Sequence, residues 1–383
     1  MIRRDRLIKT LRSLIRINSE NPSGNEQRIA LWVRDYLREA DIPARMHSFR
    51  KGRPNVIASI KGVPAGRGRK SLLITPHLDT VPAGQGWRHD PFGAEVRGDR
   101  IYGLGATDCK GNLAVALEAM HSLREDRVPL YYDLVFAATA DEESGSVCGL
   151  LPLVRTGLLK VDAAVVLDAD DFDVIITQKG LIHVTVTIEG KKAHGAYPWR
   201  GINAIDRSIV MLTEMRAFMD RLSRAYAGKD RYLRPPTMNI GTIRGGDKVN
   251  VVAGRCVFEL DFRFLPGMDP RCIVSALKRI AARHSRSFKV HIDDMQKPYR
   301  LPANHALVAG LAKAMKACGL RARIAGSEGA TVITFFQDKG VPAVATGFGC
   351  GGTAHMADEY VQISGLCRGA AVLERFLADY KFS

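Results

Sequence analysis

Apolar residues recur along this chain with two distinct periods. Near the N-terminus Leu7, Leu11, Leu14 and Ile15 form a stripe at helical spacing, which predicts a helix within residues 1–16. The segment is arginine-rich, as transit peptides are, but Asp5 breaks the basic run and the stripe leads directly into the folded pattern. Ser23-Gly24-Asn25-Glu26 reads as a capping box, the Ser side chain accepting from the third helical N–H and the Glu reaching back. The helix it opens carries Ile29, Trp32, Val33, Tyr36 and Leu37 on one face. Apolar runs at 56–60, 71–75, 133–138 and 163–167 predict buried strands, with a nearly all-apolar helix at 113–123 between the second and third. Such strands alternating with helices indicate an α/β architecture with its sheet covered on both faces. Ligands in such sheets gather beyond the carboxyl ends of the strands.

The period changes near Lys179-Gly180. Residues 182–189 alternate, a helix follows at 203–222, then strands near 238–243 and 251–264, a helix at 270–284 and a strand at 288–292. The order β-α-β-β-α-β describes a ferredoxin-like split module inserted in a larger domain. A helix at 306–318 and an apolar strand at 343–347 resume the first pattern. The expected division is therefore 1–178 and 294–383 for one domain and 179–293 for the insert.

At 383 residues the chain is long enough for two domains, and 46% hydrophobic with 25% charged residues is ordinary for a soluble globular protein. No apolar run reaches the length of a membrane span. Seven cysteines without a CxxC pair argue against a disulfide framework and for a reducing cytoplasm, and make cysteine a poor candidate for metal ligation. Cys109, beside Asp108, reads as a small buried filler. The formal charge of +16 fits nucleic acid, an anionic substrate or an Arg-rich surface. Because the basic residues are spread along the chain rather than gathered with aromatics, a nucleic-acid partner is disfavoured.

Several segments carry candidate chemistry. His77-Leu78-Asp79 falls just past a predicted strand, and residues two apart in extended chain project the same way. Asp79 can then accept from the second nitrogen of His77 and fix its tautomer. The glycine-rich run 102–111 looks at first like a phosphate-binding loop, but Asp108 stands at the third glycine position and no acid follows at ribose-binding distance. A carboxylate at that place would repel phosphate and suits a metal bridge. Asp141-Glu142-Glu143 follows another strand, and three adjacent acids are costly unless cations neutralise them. Imidazole and carboxylate together are donors for zinc and similar ions, and a shared carboxylate can hold two ions about 4 Å apart.

His77-Leu78-Asp79, the run 105–111, Ala140-Asp141-Glu142-Glu143-Ser144-Gly145 and Gly352-Thr353-Ala354-His355 together resemble the zinc-dependent aminoacylase, carboxypeptidase G and succinyl-diaminopimelate desuccinylase family, which also contains acetylornithine deacetylase and several dipeptidases. The resemblance spans essentially the whole chain. It implies a zinc-peptidase-like catalytic domain in which two divalent metals, zinc first with cobalt or manganese as alternatives, are held by His77 and Asp168 on one side and Glu143 and His355 on the other, with Asp108 bridging. It implies Glu142 as general base and Asp79 as the partner of His77. It further implies that the insert is a lid that dimerises, that His194 reaches the partner subunit's site to steady the oxyanion, and that Asn250 and Arg263 hold a substrate carboxylate.

The expected activity is hydrolysis of an N-acyl amino acid, with a dipeptidase or carboxypeptidase as the alternative and a non-catalytic basic dimeric binding protein as the alternative of another class. Asn112, Cys109, Asp168 and the loop Gly326-Ser327-Glu328-Gly329-Ala330-Thr331 depart from common family residues. The last of these puts substrate identity, not metal chemistry, in question.

Overall fold

The structure is a computed structural model that describes residues 1–22, 24–63 and 68–382. It divides into two compact units, one of Met1–Ile176, Leu301–Ala325 and Phe335–Ser383, the other of Thr177–Arg300 and Gly326–Thr334. The second unit reaches Arg300, and the departing loop 326–331 falls within its segment Gly326–Thr334.

In the first unit the helix Arg4–Ile15 buries Leu7, Leu11, Leu14 and Ile15, the stripe its spacing predicts. It packs on the helix Lys110–Glu125, which also packs on the C-terminal helix Ile363–Asp379. The sheet runs in the order Ala44–Ser48, Pro54–Ile60, Asp133–Ala138, Ser71–Thr75, Ala163–Leu167, Ala343–Thr346 and Asp173–Gln178. Ser71–Thr75 pairs parallel with Asp133–Ala138 and Ala163–Leu167, and Ala343–Thr346 pairs parallel with Ala163–Leu167. The strands outside this group pair antiparallel, so the sheet is mixed. Every residue of Ala163–Leu167 is buried, as a strand covered on both faces must be. The four parallel strands bring their carboxyl ends to one edge.

The helix Gln27–Glu39 forms with Ile29, Val33 and Leu37 buried, but its start differs from the capping-box reading. Ser23 lies outside the described residues. Glu26 makes no cap hydrogen bond; its fully buried carboxylate is turned onto Arg53 instead. An ion pair with a buried guanidinium outweighs one backbone N–H that water can serve.

The second unit has a four-stranded antiparallel sheet in the order Thr237–Gly245, Arg255–Phe264, Gly180–Glu189 and Phe288–Gln296. Ile182, Val184, Val186 and Ile188 alternate into a core with Phe258, Leu260 and Phe262, packed by the helices Ala204–Tyr226 and Arg271–His284. Asn203 caps the longer helix, its side chain accepting from the Ile205 N–H at 2.9 Å. The strand predicted at 251–264 begins only at Arg255. Val252 and Ala253 are apolar because their loop is buried, its backbone bonded to Ala193 and Ala204. No described helix is long and apolar enough to cross a membrane.

Candidate metal centre

The first unit gathers the acidic and histidine motifs at the carboxyl edge of its parallel strands. His77 lies two residues past Ser71–Thr75, where His77 and Thr139 continue the parallel pairing. Glu142 and Glu143 open a short 3-10 turn after Asp133–Ala138, and Asp168 directly follows Ala163–Leu167. Asp108 stands at the mouth of the helix Lys110–Glu125. There the turn needs glycine twice: Gly105 has φ +80°, and a Cβ on Gly111 would lie 2.3 Å from the Ala106 carbonyl oxygen.

His77 Nε2 is 2.9 Å from Asp108 Oδ1, and His355 Nε2 is 3.1 Å from Asp108 Oδ2 and 3.2 Å from Glu143 Oε1. Asp108 therefore faces both imidazoles, one with each oxygen. Donor atoms of His77, Glu142 and Asp168 lie within 4.8 Å of one another, and so do those of Asp108, Glu143 and His355. The sequence motifs thus meet as two adjoining triads, separated by as many as 278 residues of chain (77 to 355).

Asp79 plays a different part from the one its spacing suggests. The Nδ1 of His77 is 3.0 Å from the Asp79 backbone carbonyl but 3.6 Å from its carboxylate, too far for a hydrogen bond. The carbonyl sets the tautomer. The carboxylate accepts the backbone N–H of Glu142 at 3.1 Å and of Glu143 at 3.2 Å, and the Asn21 amide at 2.8 Å. Cys109 is buried, as expected, with its sulfur accepting the His77 N–H at 3.2 Å, and burial pushes its thiol up to about 12. Asn112, where glycine is common in the family resemblance, accepts the Phe348 N–H at 2.8 Å and so ties the helix to the loop after Ala343–Thr346.

The electrostatics suit cations. Burial and the neighbouring Asp108 charge raise Asp168 to about 7. Burial also lifts Glu142 well above the carboxylate range, with Asp168 adding to the rise against the pull of His77. Asp108 is held below that range despite its burial, because His355 and His77 bond to it. Four carboxylates crowded against two imidazoles form a set of hard and borderline donors that fits divalent ions, zinc included.

Sequence reasoning missed Glu359. This buried carboxylate accepts the N–H groups of Gly105 at 2.8 Å, Thr107 at 2.7 Å and Asp108 at 3.0 Å, holding the loop that presents Asp108. Nothing in local spacing links it to a loop some 250 residues earlier. Glu359→Ala leaves three donors unpaired and is expected to cost roughly 3 kcal/mol or more. Calorimetric unfolding of the variant checks the cost, and an unchanged midpoint counts against the assigned contact.

In the second unit His194 is exposed, and its Nδ1 accepts the Ala196 N–H at 3.0 Å, leaving Nε2 to carry the proton. Asn250 lies beside it, its carbonyl accepting the Gly195 N–H at 2.7 Å. Arg263 uses Nε and Nη2 on Asp261, at 2.7 and 2.9 Å, which leaves its Nη1 donors for another partner. In the loop 326–334, Glu328 pairs with the buried Lys179 at 2.5 Å and Thr331 bonds to Gln178.

A mixed sheet with imidazoles and carboxylates converging past its parallel strands is the architecture of a metal-dependent hydrolase. The chain belongs to Peptidase family M20/M25/M40, whose sequence pattern matches residues 73–379. An acetylornithine deacetylase of Yersinia pseudotuberculosis is 30% identical over 331 residues, 84% of this chain and 81% of the relative. Among solved structures, the aminopeptidase PepT of Bacillus cereus superposes with a TM-score of 0.81 at 20% identity, covering 98% of each chain. The Bacillus subtilis YXEP protein, described as a dinuclear metal-binding peptidase, does so at 0.75 and 16% identity over 98% of this chain and 97% of its own.

Proposed function

We propose that the protein hydrolyses the amide bond of an N-acyl amino acid with a free carboxylate, in the manner of an acetylornithine deacetylase or succinyl-diaminopimelate desuccinylase. The convergence of Asp108 on both His77 and His355, with Glu142, Glu143 and Asp168 around them, carries this reading. The 30% identity to acetylornithine deacetylases favours a deacylase over a peptidase. In this reading His77 and Asp168 hold one divalent ion, Glu143 and His355 a second, and Asp108 both. Zinc suits the donors best, with cobalt and manganese as alternatives. When bound, the two ions supply Lewis acidity to the amide carbonyl and bring the pKa of water toward neutrality.

Glu142 takes the proton from the attacking water. Burial raises its carboxyl well above the ordinary carboxylate range, which favours its holding the proton until it is returned to the leaving amine. The C–N bond breaks, the acyl group leaves as a carboxylate and the amine departs protonated. Asp79 orients His77 through its carbonyl and carries the Glu142 and Glu143 backbone on its carboxylate.

The same proposal makes the second unit a ferredoxin-like lid and dimerisation domain, in a cytoplasmic homodimer. Its sheet ends in the unpaired edge of Thr237–Gly245, and Ile209, Val210 and Ile243 are exposed apolar residues on that unit. His194 would donate its Nε2–H to the developing oxyanion of the partner's site, with Asn250 and Arg263 on the substrate carboxylate. His194→Ala is expected to lower kcat by on the order of 10² while leaving metal content unchanged. A strictly monomeric, fully active enzyme in sedimentation would overturn the His194 role.

Assaying the metal-loaded enzyme on N-acetyl, N-succinyl and N-carbamoyl amino acids alongside dipeptides tests the substrate class. Turnover of dipeptides with none of the acyl amino acids would replace the deacylase reading with a dipeptidase.

A further inference from the structure

Behind the acidic turn lies a buried ionic cluster that the reaction as proposed does not use. Arg53, Glu26 and Asp141 are 6%, 0% and 1% exposed. The Arg53 guanidinium donates from Nε to both oxygens of Glu26 at 3.1 Å and from Nη2 to Oε1 at 2.5 Å, while Nη1 donates to Asp141 Oδ1 at 2.7 Å. One planar fork thus spans two carboxylates that would otherwise repel in a low dielectric. The site is fitted to the guanidinium: a Cβ on Gly24 would lie 2.9 Å from Arg53 Nε.

The consequence falls on Asp141. Its backbone is left-handed, with φ +66°, a conformation a non-glycine residue keeps only when its surroundings enforce it. Here every polar group of Asp141 is engaged. Its N–H donates to Glu26 Oε1 at 3.3 Å, its carbonyl accepts from the Ser146 N–H at 2.6 Å, Oδ1 takes Arg53, and Oδ2 accepts the Cys148 N–H at 2.9 Å. The next two residues are Glu142 and Glu143, whose N–H groups hang from Asp79. Asn21 joins the two anchors, donating to Asp79 Oδ2 at 2.8 Å and to Asp141 Oδ1 at 3.4 Å.

We propose that Arg53 is a positioning residue: by clamping Asp141 against Glu26 it fixes the turn that aims Glu142 at the reacting water and Glu143 at its metal. The inference rests on the roles proposed above for Glu142 and Glu143. Lysine cannot replace arginine here, because a single ammonium does not span both carboxylates.

The test uses the full chain carrying Arg53→Met, Arg53→Lys or Glu26→Gln, loaded with cobalt(II) and assayed on N-acetyl-L-ornithine. A displacement of the base by about 1 Å is expected to lower kcat about a hundredfold in Arg53→Met, with KM within about twofold of wild type. The visible absorption of the bound cobalt is expected to change as Glu143 shifts, and added guanidinium ion to recover part of kcat in Arg53→Met but not in Glu26→Gln. A folded Arg53→Met with wild-type kcat and cobalt spectrum overturns the proposal. Should that variant not fold, the same two readings on Glu26→Gln decide, an unchanged kcat and spectrum again overturning it. Glu142→Gln run in parallel separates the two ideas. If it turns over at the wild-type rate, the general-base assignment fails, while the cobalt spectrum of the Arg53 variants still reports whether the clamp places Glu143.

Discussion

Glu142→Gln is expected to keep both metals and to lose hydrolysis by a factor of about 10²–10⁴, the range that a positioned general acid–base supplies. The substitution preserves the size of the side chain and leaves the backbone N–H on Asp79, so the turn should persist. It removes only the ability to take a proton. Burial and the Asp168 charge already disfavour ionised Glu142, so a neutral amide there is expected to leave the metal-free variant melting no lower than the metal-free wild type. Glu143→Gln makes the contrast. That residue contacts His355 and is assigned to a metal, so its loss should appear first as a metal deficit. Elemental analysis of both variants beside their kcat separates a base from a ligand. A fully loaded Glu142→Gln with wild-type turnover would falsify the mechanism.

The separation of roles among Asp79, Glu142 and Glu143 shows what a sequence can carry and what it cannot. The strands Ser71–Thr75, Asp133–Ala138 and Ala163–Leu167 were legible because each is built on an apolar stretch, Leu72 to Ile74, Leu134 to Ala138 and Ala163 to Leu167, as a largely buried strand demands. Their polar successors His77, Glu142 and Asp168 then mark the edge where parallel strands end. Short or half-polar elements left no such trace. Ala44–Ser48 is an edge strand reading Ala-Arg-Met-His-Ser, and Arg100–Tyr102 pairs with Tyr360–Gln362 across most of the chain. Glu26 was misread because a local pattern, Ser-x-x-Glu, competes with a partner 27 residues away that the pattern does not contain. Glu359 and Asn21 escaped for the same reason, since their contacts are set by topology rather than by spacing. Asp79 was placed beside its histidine but credited with the wrong atom: two-residue periodicity brings the side chains to one side without saying whether carbonyl or carboxylate is nearer.

Stripping the metals is expected to abolish activity and to make stability fall as pH rises, a dependence the loaded enzyme should largely lack. Asp168 has an ordinary value of 3.8 and is raised to about 7 by burial and the Asp108 charge. Between those values the folded chain keeps a proton that the unfolded chain has released, so folding weakens as pH climbs through that window. Glu142 is shifted in the same direction by its burial. His355, bonded to Asp108 and Glu143, is raised from 6.5 to about 10, so its contribution is full below 6.5 and is lost toward 10. Being about half exposed, it contributes less than its shift alone suggests. Asp108 and Asp79 are shifted the other way by their histidine contacts despite burial, but their contribution disappears only at more acid pH, below the window considered. Buried Lys110, pushed down to about 7, acts the other way above that pH, so the fall is read from pH 5 to 7, where the chelated protein should lose on the order of 5 °C in melting temperature. Divalent ions replace those protons as the charge the carboxylates need, which flattens the curve and raises it. Scanning calorimetry of stripped and reloaded protein at several pH values reads both effects, and zinc, cobalt and manganese can be compared by how fully each restores them. A stripped protein whose melting temperature is flat or rises over this range would show that the carboxylates are not crowded as described, and the case for two ions would lose its physical basis.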